Sequence, residues 1–279
     1  MDSATTAPPP AGQTVDPRWT GIGRLYGVDG VRRLQASHAM VIGLGGVGSW
    51  TVEALARSGV GRLTLVDLDE ICVSNTNRQL HTLTGTIGQT KAEVLAERVR
   101  AIAPDCNVDA VVDFFTARSE AAILGRAPDV VVDAIDSQKS KALLIAACLR
   151  RGIPVLVCGG AGGRIDPLAL RSGDLSASGH DGLLRNLRKS LRQSGALDGS
   201  GPWDIPAVWS MEPQRWPTAD GCVADSRPAD SKATRLDCAE GFGAATMVTG
   251  TFGFALASLA VQRLLATGAA DGDAPAPRP

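Results

Sequence analysis

The sequence predicts an α/β fold: a Rossmann-like, doubly wound and mostly parallel sheet with an inserted substrate-binding region and a C-terminal apolar helix. Two observations carry this prediction. Short apolar runs alternate with amphipathic helical stretches between residues 39 and 160, and the first run leads directly into the glycine-rich turn GLGGVG. Strands and helices that alternate at this spacing indicate right-handed βαβ units and a parallel sheet.

The core elements follow from the apolar periodicity and from the residues that end each run. Strands are predicted at 39–43, 62–67, 108–115, 129–136 and 153–160, and helices at 49–59, 89–104 and 139–152. Gly59 and Gly152 suit the C-terminal caps of helices, where the left-handed conformation is favoured. Pro104 follows the end of the second helix, as expected of a residue that cannot continue one.

After Gly163 the alternation breaks. Residues 164–240 are rich in Gly, Ser, Asp and Pro and contain a single clear helix at 182–195, so they are interpreted as an insertion that contacts substrate. An apolar helix at 244–266 then returns to the core. The predicted plan is a disordered leader (1–17), a Rossmann-like core (18–163), the insertion (164–240), the C-terminal helix (241–267) and a disordered tail (268–279).

Composition excludes several classes of protein. Of 279 residues, 44% are hydrophobic and 20% charged, which is typical of a soluble globular chain. The net charge of −1 gives no global attraction for nucleic acid, so an RNA partner requires a local patch. The N-terminus lacks a signal-peptide pattern, and the six cysteines form no CxxC pair. A cytoplasmic protein with reduced thiols is therefore expected.

One segment raises the question of a membrane. Residues 241–261 carry no charge over about the length that a bilayer requires. Glycine and threonine dilute the hydrophobicity of its first half, and it is the single span of this kind in the sequence. A helix buried in the core or at a subunit interface is the favoured interpretation, with no membrane partner.

The turn after the first strand has the pattern of a nucleotide site. Gly43, Gly45, Gly46 and Gly48 stand between a strand and a helix, where glycines permit a tight turn and a close approach of backbone to phosphate. Phosphate would then lie at the helix N-terminus. Asp67 ends the next strand, where a carboxylate accepts hydrogen bonds from ribose.

The residues that follow distinguish between nucleotides. A nicotinamide enzyme requires only the cradle, the ribose acid and a hydride-transfer pocket, whereas Arg78 and Lys91 supply cations suited to a triphosphate. Asp136 ends the fourth strand and suits Mg²⁺ held against phosphate oxygens. ATP with Mg²⁺ is therefore the predicted nucleotide, and the 18–163 core is its binding domain.

These motifs carry a family resemblance. GLGGVG, DLD, NTNRQ, GQTK and DAID resemble the ubiquitin-activating-type adenylating enzymes of the HesA/MoeB/ThiF kind, which activate a carboxylate as an acyl-adenylate and release pyrophosphate. The resemblance implies that Asp67 binds ribose and that Asp136 holds Mg²⁺. It assigns to the phosphates and the rest of the nucleotide the set Asp69, Asn75, Asn77, Arg78, Gln79 and Lys91.

One branch of this family resembles the chain more closely. GIGRLYG (21–27), CGGAGGRIDP (158–167) and LDCAEGFGAATMVTGTFGF (236–254) look like the bacterial tRNA threonylcarbamoyladenosine dehydratases. The resemblance implies adenylation of the modified base's own carboxylate next to the anticodon, followed by ring closure as the neighbouring ureido nitrogen displaces AMP. Both reacting groups are already tethered, so no protein nucleophile is needed. Whether the ring is an oxazolone or a hydantoin stays open.

The resemblance also implies a homodimer in which one subunit lends an arginine to its partner's ATP. Arg24 is the candidate, with Arg18 as the alternative. Cys238 lies shortly before the apolar helix; it is interpreted as a structural thiol, and the alternative is a thioester or sulfur-relay cysteine serving a sulfur-transfer protein.

Helix 182–195 has a basic face. The cations Arg185, Arg188, Lys189 and Arg192 recur at helical spacing, which suits a tRNA backbone, although a merely solvated face has the same pattern. Three tryptophans of the insertion are candidates for stacking on a splayed base, and each also suits packing: Trp203, Trp209 and Trp216. His81 and His180 have no metal-ligand partners at usable spacing.

Three rival functions are also compatible with parts of the sequence. The first is an adenylating enzyme that activates the C-terminus of a ubiquitin-like sulfur-carrier protein, which would require a cysteine. The second is a nucleotide-sensing or sulfur-relay scaffold. The third is a nicotinamide dehydrogenase, which Arg78 and Lys91 disfavour.

Overall fold

The computed structural model describes residues 15–218, 220–228 and 242–267. The strands of its main sheet are β1 (His38–Ile42), β2 (Arg62–Val66), β3 (Asn107–Val111), β4 (Val130–Asp133), β5 (Val155–Cys158), β6 (Leu170–Asp174) and β7 (Pro206–Ser210). The helices are α1 (Thr20–Ala36), α2 (Gly48–Arg57), α3 (Lys91–Ile102), α4 (Glu120–Leu124), α5 (Gln138–Arg151), α6 (Gly182–Gln193) and α7 (Thr246–Thr267). A separate two-stranded pair consists of β8 (Trp216–Pro217) and β9 (Val223–Ala224).

The order of the strands creates one switch point. The main sheet runs β3-β2-β1-β4-β5-β7-β6, and every pair is parallel except β6 with β7. From β1 the chain winds outward through β2 and β3, then returns to β4 on the other side of β1. Ligands of doubly wound sheets bind in the crevice at the carboxyl ends of such neighbouring strands. The turns after β1 and β4 are therefore where a site is expected.

Helices cover both faces of the sheet. Along β1, Ala39 and Val41 point into one core with α2, α3 and α7, while Met40 and Ile42 point into a second core with α5 and α6. Strands buried on both faces appear in sequence as continuous apolar runs, which is why β1, β4 and β5 were recognisable.

The predicted core elements are confirmed, with strands shorter than the apolar runs. The run at 129–136 ends as a strand at Asp133, because the side chain of Asp133 accepts a hydrogen bond from the N–H of Ile135 (3.1 Å) and turns the chain. Gly59 and Gly152 adopt the left-handed conformation at φ of 81° and 64°. Helix α1 was not predicted.

Two features of the structure bear on the predicted boundaries. Residues 15–17 belong to the ordered fold, since the carboxylate of Asp16 caps a short 3-10 turn (Pro17–Trp19) whose Trp19 is buried. Within the predicted insertion, the described residues include two strands of the main sheet. β7 adds parallel to β5, and its Val208 and Trp209 extend the two apolar layers; β6, most of whose residues are exposed, pairs antiparallel with β7 at the edge.

The C-terminal helix is a core helix. It packs on α2 and across β4, β5 and β7. A Cβ on Gly253 would lie 2.7 Å from the carbonyl oxygen of Val47, so glycine lets the two helices approach closely. Among the described residues, Thr246–Ala266 has the length and composition of a membrane span, and 56% of its apolar window is buried within the protein.

Candidate active site

The glycine-rich loop between β1 and α2 contains glycines that the packing of the chain requires and one that it does not. Gly43 has φ of +88°, and a Cβ there would lie 2.8 Å from the backbone of Ala134; on Gly48 it would lie 1.8 Å from the carbonyl oxygen of Gly43. These two are required by the fold. A Cβ on Gly45 would meet only the side-chain nitrogen of Gln79, at 3.8 Å. The packing of the chain therefore does not require a glycine at position 45. The absence of a side chain there leaves space in which a ligand would approach the backbone of the loop.

Asp67 links this loop to the next one. It is 8% exposed at the end of β2, and its carboxylate accepts hydrogen bonds from the N–H of Leu44 (2.6 Å) and of Asp69 (2.8 Å). Burial raises the pKa of Asp67, while the nearby Lys91 opposes that shift. Asp67, the residue predicted to bind ribose, is thus held beside the glycine-rich loop, and its carboxylate oxygens retain lone pairs that accept further hydrogen bonds.

The cations predicted for the triphosphate are both buried. Lys91, at the first position of α3, is 5% exposed, and its Nζ lies 2.7 Å from a carboxylate oxygen of Asp69. Arg78 is 8% exposed and donates to the carbonyl oxygen of Ser74 (2.7 Å) and the side chain of Asn77 (3.1 Å). Asp69 is therefore the counter-ion of Lys91.

Backbone contacts fix the position of Arg78. Its carbonyl oxygen accepts hydrogen bonds from the indole N–H of Trp50 on α2 (3.1 Å) and from the hydroxyl of Thr249 on α7 (3.2 Å). Three elements distant in sequence therefore meet at this peptide. Trp50 and Thr249 were not identified from sequence, because a tryptophan in a helix reads as packing.

Two predicted polar residues make hydrogen bonds that serve the local fold. The side-chain oxygen of Asn75, which is buried, accepts the N–H of Cys72 (3.0 Å) and closes a short 3-10 turn. The side chain of Asn77 donates to the carbonyl oxygen of Ala244 (2.8 Å), and the hydroxyl of Thr246 donates to the carbonyl oxygen of Asn77 (2.7 Å). Asn77 thus joins the loop to the start of α7, and direct contact of either side chain with nucleotide stays a prediction.

Gln79 carries an unsatisfied amide beside the loop. It is 7% exposed, and its side-chain oxygen has no hydrogen-bond partner among the described residues. A buried acceptor without a partner costs about 1–3 kcal/mol. The nitrogen of the same amide is the atom nearest to a Cβ on Gly45, at 3.8 Å, so Gln79 lies beside the loop.

Asp136 is exposed in the turn between β4 and α5. That turn contacts the glycine-rich loop, since Ala134 is the neighbour that a Cβ on Gly43 would strike. The described residues contain no group of three or more metal-ligating side chains. Mg²⁺ usually binds one or two carboxylates together with substrate phosphates, so a single aspartate at this place suits it.

The turn is flanked by a buried ion pair, between the last residue of β4 and the first turn of α5, that was not predicted from the sequence. Lys141 and Asp133 are both 0% exposed, with Nζ 3.1 Å from the carboxylate. Burial lowers the pKa of Lys141, but the negative groups around it, with Asp133 the largest contributor, together outweigh burial and the pKa is raised. A signal existed: Lys141 shares the buried face of α5 with Leu144, Ile145 and Cys148 at helical spacing.

Helix α6 has the predicted two faces, with a correction to the basic one. Its three leucines are buried against the core around α5 (Leu184, Leu187 and Leu191). Arg185 and Lys189 are exposed. Arg188 instead turns inward and donates to the carbonyl oxygen of Ser178 (2.6 Å), and Arg192 lies 4.8 Å above the ring of Trp203. Two of the four predicted cations are therefore engaged within the chain.

The tryptophans of the insertion differ in exposure. Trp209 is 7% exposed and packs in the core between the sheet and α6, so of its two interpretations the structure supports packing. Trp203 and Trp216 are partly exposed, and Trp216 packs edge-on against Phe242 at 4.9 Å.

The remaining predicted residues are either exposed or outside the described part. Arg24 is exposed on α1, which packs against α7, and a role in a partner's site stays a prediction. Cys238 lies outside the described residues. The five described cysteines are unpaired, and burial raises the pKa of Cys106 to about 11, of Cys148 to about 12 and of Cys158 to about 11. A buried thiol with a raised pKa is a poor nucleophile, which suits a packing role for these three cysteines.

Comparison with known proteins identifies the family. Residues 21–275 match the ThiF family model. The chain belongs to the ThiF family. It is 47% identical over 251 residues to the tRNA threonylcarbamoyladenosine dehydratase of Haemophilus influenzae, covering 89% of this chain and 93% of that protein. The Escherichia coli protein of the same name is 45% identical over 257 residues, covering 91% and 96%.

Solved structures agree with the sequence comparison. The structure of TcdA (CsdL) superposes with a TM-score of 0.82 at 43% identity, covering 90% of this chain and 95% of that one. Escherichia coli TcdA in complex with ATP superposes with a TM-score of 0.80 at 41% identity, covering 91% and 96%. The predicted fold and the predicted family of adenylating enzymes are thus confirmed for this ThiF protein.

Proposed function

We propose that this ThiF protein is an ATP-dependent tRNA threonylcarbamoyladenosine dehydratase. The observation that carries the proposal is the set of buried cations beside the open glycine-rich loop. Arg78 and Lys91 both lie in the segment from β2 to the start of α3, where Arg78 packs beside Gly46 of the loop and Lys91 pairs with Asp69. Relatives that match about nine-tenths of both chains bear this activity in their names, and one is a complex with ATP.

The chemistry requires a carboxylate to attack the α-phosphorus of ATP. A substrate carboxylate oxygen forms the new P–O bond, and the bond from the α-phosphorus to pyrophosphate breaks. The buried side chains of Arg78 and Lys91 stabilise the charge that develops on the phosphates, in surroundings from which water is excluded. Asp67 orients the ribose, and the glycine-rich loop presents backbone N–H groups at the start of α2.

Ring closure then completes the reaction. The neighbouring ureido group attacks the acyl carbon and AMP leaves, so the nucleoside loses one water in total. Both reacting groups belong to one substituent, which makes the step intramolecular and favourable without a protein nucleophile. Cys238 has no obligatory part in this sequence of steps.

Mg²⁺ fits the site through Asp136. The residue is exposed in the turn against the glycine-rich loop, where it would bind the ion together with phosphate oxygens. When bound, Mg²⁺ would neutralise charge on the departing pyrophosphate.

The assembly and the partners are proposed on the same family grounds. The protein would act in the cytoplasm as a homodimer, with Arg24 reaching the partner's ATP. Exposed cations of α6, Arg185 and Lys189, would contact the tRNA backbone.

Activation of a sulfur-carrier protein is the weaker alternative. The Escherichia coli ThiS adenylyltransferase is 33% identical but covers only 48% of this chain. That match spans 135 residues, whereas the match to the Haemophilus influenzae dehydratase spans 251.

One experiment distinguishes the two functions. Pyrophosphate release from ATP is measured with tRNA that carries threonylcarbamoyladenosine, with unmodified tRNA and without tRNA, and digested nucleosides are examined by mass spectrometry. Stimulation by the modified tRNA together with loss of one water from its nucleoside supports the dehydratase. Pyrophosphate release that no tRNA stimulates, with no change of nucleoside mass, contradicts it and favours a protein substrate.

A further inference from the structure

We infer that Asp133 and Lys141 are positioning residues, a buried ion pair that holds Asp136 in register with the glycine-rich loop. The inference rests on the proposed function, because the task of Asp136 is that of an adenylating enzyme. Neither residue is exposed, so neither contacts ATP or tRNA directly.

The pair ties the first turn of α5 to the last residue of β4. The Nζ of Lys141 lies 3.1 Å from the Oδ1 of Asp133 and donates to its carbonyl oxygen at 3.2 Å. One ammonium group therefore holds both the side chain and the main chain at the end of the strand. The turn that carries Asp136 runs between these two fixed points.

The same carboxylate oxygen shapes the turn itself. Asp133 Oδ1 accepts the N–H of Ile135 at 3.1 Å. The intervening Ala134 lies against the first glycine of the loop, since a Cβ on Gly43 would be 2.8 Å from its carbonyl group. A displacement of Asp133 would thus be transmitted to the glycine-rich loop on one side and to Asp136 on the other.

Stability alone does not account for the pair. Charges removed from water cost several kcal/mol each, and apolar residues of similar size are often as stable or more so. Asp133 Oδ2 also has no hydrogen-bond partner among the described residues. One turn further along α5, Leu144 and Ile145 anchor the helix by packing alone. Directed hydrogen bonds, however, fix atoms in a way that apolar packing does not.

The decisive variant is the double substitution Asp133→Asn with Lys141→Met. It removes both charges and the tether but keeps an oxygen for the N–H of Ile135, so the chain should fold with an unfolding midpoint near that of the parent. We expect kcat for pyrophosphate release to fall about a hundredfold, as for a small misplacement at a reacting centre, with little change in the KM for ATP. Lys141→Arg keeps the charge and should recover most of kcat.

A second readout does not depend on turnover. The Kd of ATP is measured by calorimetry with and without Mg²⁺. In the parent, Mg²⁺ should tighten ATP binding; in the double variant it should no longer do so, as in Asp136→Ala. Arg150→Met, at the exposed end of the same helix, is the matched control and should behave like the parent.

The outcomes separate the inference from the proposed function. A folded double variant with parental kcat and parental Mg²⁺ dependence would make the pair merely structural and overturn the inference. A folded Lys141→Arg as slow as the double variant would also count against it. If the parent shows no tRNA-stimulated pyrophosphate release, the proposed function fails, and the calorimetric comparison still decides the role of the pair.

Discussion

The cations at the glycine-rich loop and those on α6 stand in opposite surroundings. Arg78 and Lys91 are 8% and 5% exposed and are held by fixed partners, whereas Arg185 and Lys189 project into solvent. Burial makes a charge costly, and that cost is offset when a highly charged ligand arrives at a fixed place. Exposed cations attract any phosphate backbone weakly and lose that attraction in salt. The first arrangement suits chemistry and the second suits docking.

The largest expected effect separates fold from ligand within the loop itself. Gly48→Ala should prevent stable folding, because its Cβ would lie 1.8 Å from the carbonyl oxygen of Gly43. Gly45→Ala should leave the unfolding midpoint nearly unchanged and weaken ATP binding by about tenfold or more, since the methyl occupies the approach to phosphate. Thermal unfolding and calorimetry measure both. Equal stability of the two variants would contradict this division.

Removal of a buried cation should slow the reaction without loosening tRNA. Arg78→Ala should lower kcat for pyrophosphate release by about a hundredfold to a thousandfold, the usual loss for one group that stabilises transition-state charge. Its Kd for tRNA should match the parent. Arg150→Ala, an exposed arginine paired with Glu120, is the control. A folded Arg78→Ala variant with a kcat close to that of the parent would show that Arg78 does not take part in the reaction.

The buried region should also respond to acid. His81 is 2% exposed, and burial followed by the charge of Lys91 lowers its pKa to about 3. Below about pH 6.5 the unfolded chain binds a proton here that the folded chain does not, so stability falls by about 1.4 kcal/mol per pH unit down to about pH 3.

His81→Leu abolishes this contribution. Between pH 7 and pH 5 the parent should lose about 2 kcal/mol more unfolding free energy than the variant, measured by urea titration. His180→Asn, at an exposed histidine with positive φ that asparagine tolerates, is the control. Parallel pH curves for parent and His81→Leu would show that His81 is not buried in its neutral form.

The smallest effect is expected on α6. Arg185→Glu and Lys189→Glu should each raise the KM for tRNA by about tenfold and reduce the slope of affinity against salt by about one. The Kd of ATP should not change. Arg118→Glu, at an exposed arginine near α4, should leave tRNA binding as it is. If the slope of tRNA affinity against salt is unchanged in both α6 variants, this face does not contact tRNA and is only a solvated surface.

The sequence predicted most of the site because its residues are close along the chain. Gly43 to Gly48, Asp67 and the NTNRQ segment follow single strands, and the ends of parallel strands meet at one edge of the sheet. The sequence did not predict which of Asn75, Asn77 and Arg78 makes hydrogen bonds within the chain. An amide side chain can close a turn or bind a ligand, and its neighbours in the folded protein decide between the two. Arg188 shows the same limit on α6: helical spacing places it on the basic face, yet Ser178 takes its guanidinium.

By itself, the sequence determined the alternation of strands and helices, the glycine caps at Gly59 and Gly152 and the order of the nucleotide motifs. These features depend on local periodicity and on the conformational freedom of the backbone. Only the tertiary structure decided that β7 and β6 extend the sheet, that Trp209 is buried, and that Lys141 meets Asp133. Those outcomes depend on which apolar faces remain to be covered and on which charges are removed from water together. Both are properties of the packed chain and not of any segment of it.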